Sequence, residues 1–144
     1  MIWPRIHEWA RLKPAKSAIV YNGEPIDYAS FARAIAATHR YLQSLALPPG
    51  RTAIVLDSNP VDAWVLVLAL RTLGLNTIAV ESLAFAEQLD IADVACVAMS
   101  ESERGLHNLK SRVLAGTKAI FAPKPVHAGI FSGDLPAPPE TGPA

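Results

Sequence analysis

A strand followed by a sharply delimited apolar helix, within 52–74, constrains the fold more than any other stretch of the sequence. Thr52–Leu56 is an almost continuous apolar run, which is typical of a strand covered on both faces. Asn59 suits the N-cap of the next helix, Pro60 its first turn, and Gly74 the position after its end. The helix between them is apolar on nearly every side and is therefore predicted to lie in an interior layer.

Three further strands are predicted after this helix, with shorter helices between them. The strands centre on Ile78, Val97 and Ile120, and the helices are predicted over 84–89 and 106–114. Strands that alternate with helices favour a parallel sheet built with right-handed crossovers. The predicted fold class is α/β, a Rossmann-like parallel sheet with helices on both faces.

A small β-hairpin and a long helix are predicted ahead of this sheet. The dipeptide Asn22-Gly23 separates two β-prone runs, 18–21 and 24–28, and is a strong local signal for a type I′ turn. Asp27 is placed to cap the long helix, whose apolar positions from Phe31 onward are spaced at helical intervals. A short amphipathic helix over 6–12 is predicted to precede the hairpin.

The composition fits a globular domain better than a disordered chain, a membrane span or a nucleic-acid binder. Hydrophobic residues make up 51% of the 144 residues and charged residues 18%, and thirteen Lys and Arg balance thirteen Asp and Glu. The most apolar run, 63–70, is shorter than the about 20 residues that a spanning helix needs. A soluble, cytoplasmic protein without nucleic-acid binding or a membrane span is predicted, and its near-zero net charge leaves self-association open.

No residue is assigned a catalytic, cofactor-binding or metal-binding role. The turn 57–60, which follows the first strand of the sheet, lacks the glycines and lysine of a phosphate loop and is interpreted as a helix cap. Glu101 and Glu103 are interpreted as solvated loop acids rather than as a catalytic pair. Cys96 is interpreted as a small buried hydrophobe on a strand, because no base or cation lies near it in sequence.

The histidines and tryptophans are given structural interpretations as well. The four histidines are scattered without partners at metal-ligand spacing, and His39 is interpreted as part of a solvated helix face. The tryptophans are interpreted as packing groups, because no basic residues interleave with them as a base-stacking surface requires. They are Trp3, Trp9 and Trp64.

The order of short sequence features between about residues 5 and 81 is more specific than any single motif. They are IHEWA at 6–10, KP at 13–14, SAIVYNG at 17–23, IDYASF at 26–31, LPPGRTAIVL at 47–56, SNP at 58–60 and LG at 73–74. This order resembles the start of adenylate-forming enzymes, the superfamily of acyl-CoA synthetases, luciferases and peptide-synthetase adenylation domains.

The sequence departs from the family's pattern at several positions. Asp27 stands where the family usually has threonine, Ser30 where it has glutamate, and Arg51 where it has aspartate. The stretch 75–81 lacks the proline-leucine that often ends the corresponding strand. None of these is a catalytic position in the family. The residues that carry the family's reaction come later in its sequences, so the resemblance transfers no catalytic residue to this chain.

The resemblance implies an enzyme that uses ATP and Mg²⁺ to convert a carboxylate into an acyl-adenylate. The acyl group then passes to a thiol, that of coenzyme A or of a phosphopantetheine arm. The family's phosphate loop has no counterpart in this sequence. The chain is therefore predicted to be an inactive N-terminal fragment whose partner is the remainder of the enzyme. An α/β subdomain is predicted over 1–131, and a proline-rich connector or disordered tail over 132–144.

Two other interpretations stay open at this point. One is a stand-alone, non-catalytic α/β module that binds or scaffolds another chain through its exposed sheet edge, whereas a fragment of an enzyme is expected to expose apolar surface or to bury it in a homodimer. The other is a small nucleotide-binding domain whose phosphate loop has an unfamiliar sequence.

Overall fold

The computed structural model describes residues 2–21, 23–89, 91–104 and 117–123. The predicted helix over 106–114 and the connector over 132–144 lie outside these ranges. The described elements are α1 (Ile2–Leu12), β1 (Ser17–Tyr21), β2 (Glu24–Asp27), α2 (Tyr28–Gln43), β3 (Thr52–Leu56), α3 (Pro60–Thr72), β4 (Asn76–Val80), α4 (Leu83–Leu89), β5 (Val94–Ser100), a 3₁₀ turn (Glu101–Glu103) and β6 (Lys118–Ala122).

Four strands form one parallel sheet in the order β4-β3-β5-β6. The chain runs outward from β3 to β4, crosses back past β3 to β5, and continues to β6. The winding direction thus reverses between β3 and β5. Strands β1 and β2 pair separately as an antiparallel hairpin. These findings confirm the predicted α/β class and the hairpin.

Side chains that alternate along the strands build a core on each face of the sheet. On one face, Ala53 and Val55 of β3 pack with Leu66 and Leu70 of α3. On the other face, the neighbouring strand residues pack against α4. The core of this second face comprises Ile54, Leu56, Val80, Leu83, Ala86, Val97 and Met99.

Helix α3 lies between the sheet and an outer layer made of α1, α2 and the hairpin. Val65 and Leu68 of α3 share a core with residues of α1 and α2, which confirms the predicted interior position of the helix. Trp64 is an exception, because it is 55% exposed. Its ring contacts Phe31 of α2 at a centroid separation of 6.4 Å, and no other described ring packs on it.

Local hydrogen bonds explain why the two long helices begin where they do. The Asp27 carboxylate accepts a hydrogen bond from the backbone N–H of Ser30 at 2.7 Å. The Asn59 side chain accepts from two backbone N–H groups in the first turn of α3, at 2.9 and 3.2 Å. Gly74, with φ of +86°, follows the end of α3, and a Cβ at this position would lie 3.3 Å from Cβ of Pro49, so glycine suits the site in both backbone conformation and space.

Within the described part of the chain, no helix combines the length and apolar character needed to cross a membrane.

Candidate functional site

The carboxyl ends of β3 and β5 lie side by side where the winding of the sheet reverses. Doubly wound sheets bind their ligands in the crevice at this point, because the connections leave the two strands in opposite directions. Here the crevice lies between the turn 57–59, after β3, and residues 100–103, at the end of β5.

Two carboxylates cross this crevice in opposite directions. Asp57, after β3, accepts a hydrogen bond from the backbone N–H of Ser100 at the end of β5, at 2.9 Å. Glu103, beyond β5, accepts from the backbone N–H of Ser58 at 2.5 Å and from its hydroxyl at 2.8 Å. We call these four residues the carboxylate clasp. Each strand end supplies a carboxylate to a backbone N–H of the other.

The remaining polar groups of the crevice also have partners within the protein. The second oxygen of Asp57 accepts from the backbone N–H of Asn59 at 3.0 Å. The hydroxyls of Ser100 and Ser102 lie 2.9 Å apart. A phosphate placed here would meet two carboxylates and N–H groups that already have acceptors. The crevice therefore does not fit a phosphate, and its chemistry is that of a structural tie between two turns.

Burial sets the electrostatics of the clasp. Glu103 is only 2% exposed, so its interpretation as a solvated loop acid is wrong, whereas Glu101 is exposed. The 3₁₀ turn folds Glu103 back over the end of β3, a contact across 45 residues that leaves no local sequence signal. Burial raises the pKa of the Asp57 carboxyl, and the hydrogen bonds that it accepts only partly offset this effect.

His39 is buried between α2 and α3, and its interpretation as part of a solvated face is wrong. It is 5% exposed, with Nδ1 2.6 Å from the Thr72 hydroxyl oxygen. That hydroxyl donates to the carbonyl of Ala69 at 2.6 Å, so Nδ1 supplies the hydrogen of the contact with His39. Burial lowers the pKa of His39. Position 39 follows the buried Ile35 by four residues, and this spacing was the available sequence signal.

Cys96 is fully buried on β5, which confirms its interpretation as a core residue. Burial raises the pKa of its thiol to about 11, so the thiol stays protonated at neutral pH.

Trp9 lies at the surface of α1 with two lysines beside its ring. It is 39% exposed and stacks on Tyr28 at a centroid separation of 5.9 Å. The Nζ atoms of Lys16 and Lys13 lie 4.6 and 5.8 Å from the centroid of its ring. Trp9 thus packs on Tyr28 as interpreted, but lysines also lie beside its ring, because the turn 13–16 folds back over α1.

The described residues do not fit a metal ion or a nucleotide. Among them, no three His, Cys, Asp or Glu side chains come together as a metal site. Their strand-end crevice is crossed by the clasp instead of lined by a glycine-rich turn.

Comparison with known proteins gave matches by structure only. No protein-family model and no curated protein matches the chain. In structure it is similar to the nonribosomal peptide synthetase FmoA3 in its α-methyl-L-serine-AMP bound form, with a TM-score of 0.68 and 21% identity over 85% of this chain and 14% of that one. It is similar to O-succinylbenzoate coenzyme A synthetase (MenE) from Bacillus subtilis in complex with AMP, with a TM-score of 0.65 and 20% identity over 83% of this chain and 30% of that one.

A third similar structure is the N-terminal subdomain of Klebsiella oxytoca NpsA in complex with anthranilyl-AMSN. Its TM-score is 0.64, with 17% identity over 92% of this chain and 34% of that one. The chain thus spans about a third or less of each of these proteins. At such identities the similarity establishes the fold, and this is the fold that the sequence resemblance implies.

Proposed function

We propose that this chain is the N-terminal portion of an ATP-dependent ligase that activates a carboxylate as an acyl-adenylate. The observation that carries the proposal is its structural similarity to FmoA3 and MenE, which covers 85% and 83% of this chain but only 14% and 30% of theirs. Both of those proteins were solved with AMP or an aminoacyl-AMP bound.

In the complete enzyme, ATP and Mg²⁺ would support formation of the acyl-adenylate, and coenzyme A or a phosphopantetheine thiol would accept the acyl group. The described residues of this chain do not fit ATP, because the clasp engages the strand-end N–H groups that a phosphate would need. They do not fit Mg²⁺ either, because no three His, Cys, Asp or Glu side chains among them come together. The chain's own role in this proposal is structural. It supplies a parallel sheet and a rigid outer layer on which the remainder of the enzyme packs.

Carboxylate-dependent exchange between ATP and labelled pyrophosphate tests the proposal. The assay compares the 144-residue chain with the longest polypeptide encoded by the same open reading frame, over a panel of carboxylic acids. The longer polypeptide should catalyse exchange and the 144-residue chain should not. Exchange by the short chain would show that it contains a complete site. No exchange with any acid by a longer, folded polypeptide would contradict the ligase proposal.

A stand-alone binding module is the second candidate function. It is favoured by large apolar side chains at the surface, which a partner would cover. They are Leu12, Val20, Trp64, Phe85 and Leu89, each between 46% and 65% exposed. Light scattering over a series of concentrations distinguishes the two candidates. A single stable oligomer favours the binding module, whereas concentration-dependent, polydisperse association favours a portion of a larger enzyme.

A further inference from the structure

One surface of the outer layer has no part in the sheet, the clasp or the proposed ligase activity. It consists of Trp9, Leu12, Lys13, Lys16 and Tyr28, and we call it the α1 patch. Trp9 and Leu12, three residues apart on α1, are 39% and 58% exposed. The indole of Trp9 stacks on Tyr28 with an interplanar angle of 24°. The patch therefore presents a flat aromatic group beside an aliphatic one.

Two ammonium groups converge on the exposed indole. Nζ of Lys16 and Nζ of Lys13 lie 4.6 and 5.8 Å from the ring centroid of Trp9. Within the described part of the chain, neither ammonium is paired with a carboxylate, since the ion pairs there involve other cations. Two positive charges beside the same ring, without a counter-ion, attract an anion.

Two of the three acidic side chains nearest to the lysines in sequence are already engaged, and the third, the exposed Glu24 of β2, forms no ion pair with either lysine. Glu8 pairs with Arg11 at 2.6 Å on the surface of α1. Asp27 accepts the backbone N–H of Ser30 at the start of α2. Neither carboxylate is therefore directed to the lysines, and the α1 patch keeps a local positive charge although the net charge of the chain is zero.

The turn that carries the lysines is held by backbone hydrogen bonds. The N–H of Lys13 donates to the carbonyl of Trp9 at 2.7 Å, and the carbonyl of Lys16 accepts from the N–H of Tyr28 at 2.9 Å. The turn is thus fixed both to the end of α1 and to the start of α2. A surface that is ordered before binding loses less conformational entropy when a ligand binds.

We propose that the α1 patch binds an acidic segment of a partner protein, one in which carboxylates flank an apolar or aromatic side chain. The carboxylates pair with Lys13 and Lys16, and the apolar side chain packs on Leu12 and on the exposed part of the Trp9 ring. Aromatic residues that combine apolar area with a rigid shape are enriched at such interfaces. This proposal does not depend on the ligase activity.

Charge complementarity favours an acidic peptide over a nucleic acid as the occupant. The patch offers two lysines, whereas nucleic-acid surfaces carry basic residues along a whole face or helix. The balance of thirteen basic and thirteen acidic residues gives no long-range attraction for a polyanion.

Titration with defined peptides, followed by the indole N–H signals in ¹H–¹⁵N spectra, tests the proposal. The probe is an octapeptide of glutamate, aspartate and phenylalanine, and its control carries glutamine and asparagine instead of the acids. Trp9→Phe assigns the Trp9 signal. The acidic peptide should shift this signal saturably and leave the Trp64 signal in place. Binding should weaken by about fivefold or more when the salt concentration rises from about 50 to about 300 mM.

Two matched double variants separate the patch from overall charge. Lys13→Gln with Lys16→Gln should weaken binding by about tenfold or more, because both charged contacts are lost. Arg40→Gln with Arg71→Gln removes two exposed positive charges elsewhere and should leave binding within about twofold of the original protein. The remaining backbone signals of each variant report whether it is folded.

Three results would overturn the proposal. The first is no saturable shift of the Trp9 signal, and the second is equal weakening by both double variants. The third is an oligothymidylate that binds more tightly than the acidic peptide and loses this binding in the lysine variant, which would assign the patch to nucleic acid.

Discussion

Ala46 has a backbone conformation that is unfavourable for a residue with a side chain. It follows α2 with φ of 53°, in the left-handed region, which costs a residue with a Cβ about 1 kcal/mol. Its side chain is exposed, so its removal loses little packing. Ala46→Gly should therefore raise the free energy of unfolding by about 0.5 kcal/mol, measured by denaturant titration. Ala37→Gly, inside α2, should lower it by about 1 kcal/mol. A loss of stability in both variants would show that the conformation of Ala46 is not strained.

His39 makes the stability of the protein depend on pH. Burial lowers its pKa, so the folded protein binds the proton less readily than the unfolded chain, where the pKa is about 6.5. Its contribution to stability is complete above about pH 6.5 and is lost as the pH falls toward its folded pKa. The raised pKa of Asp57 acts in the opposite sense, because the folded state then binds the proton more readily.

The two contributions can be separated by comparing variants. His39→Asn keeps a group that can donate to Thr72 but removes the titration. The free energy of unfolding is measured at pH 7.5 and at about pH 5.5. Its decrease on acidification should be smaller in the variant than in the original protein. Parallel profiles for the two proteins would contradict the assignment of this pH dependence to His39.

At the scale of elements, the carboxylate clasp ties the β3–α3 turn to the end of β5. Glu103→Gln leaves one acceptor oxygen for the two donors of Ser58, so one donor of this part-buried residue loses its partner. The free energy of unfolding should fall by about 1–3 kcal/mol. Glu101→Gln, at an exposed position in the same 3₁₀ turn, should change it by less than about 0.5 kcal/mol.

Hydrogen exchange shows where the Glu103→Gln variant is weakened. The amide of Ser58 should exchange faster in Glu103→Gln, while amides in the centre of β3 keep most of their protection. Equal effects of the two glutamate substitutions on stability would mean that the clasp contributes nothing beyond a surface charge.

The elements that could be predicted from the sequence are those whose boundaries are set by residues a few positions away. The start of α3 was predictable because the Asn59 side chain caps N–H groups within three residues. Helix α1 begins four residues before the predicted start at Ile6, and Pro4 lies in its first turn. Proline is tolerated in a first turn, where its missing N–H has no helical acceptor. Glu103 was misjudged because its burial depends on a contact 45 positions away. His39 was misjudged although its helical spacing from the buried Ile35 was a local signal.

At the scale of the whole molecule, the sequence predicted alternating strands and helices but not the strand order. The strand order places β3 beside β5, and the crevice forms because these two strands are adjacent. Arg51 also acquires its role only there, where it donates to Asp93 and to the carbonyl of Val94, both at 2.8 Å, and so joins the starts of β3 and β5. Arg51, one of the positions at which the sequence departs from the pattern of adenylate-forming enzymes, thus connects two strands.

Because the carboxylate clasp crosses the crevice between β3 and β5, the 144-residue chain is not expected to bind a nucleotide there. A ligand that binds only the folded state raises the free energy of unfolding by about 2.7 kcal/mol when its concentration is a hundred times its dissociation constant. Thermal unfolding of the 144-residue chain in millimolar ATP with Mg²⁺ should be unchanged, because the clasp engages the N–H groups that a phosphate would need. The longer polypeptide of the same reading frame should be stabilised under these conditions. Stabilisation of the short chain that is lost in Asp57→Ala would show that the crevice binds nucleotide, and would favour a small nucleotide-binding domain over a portion of a ligase.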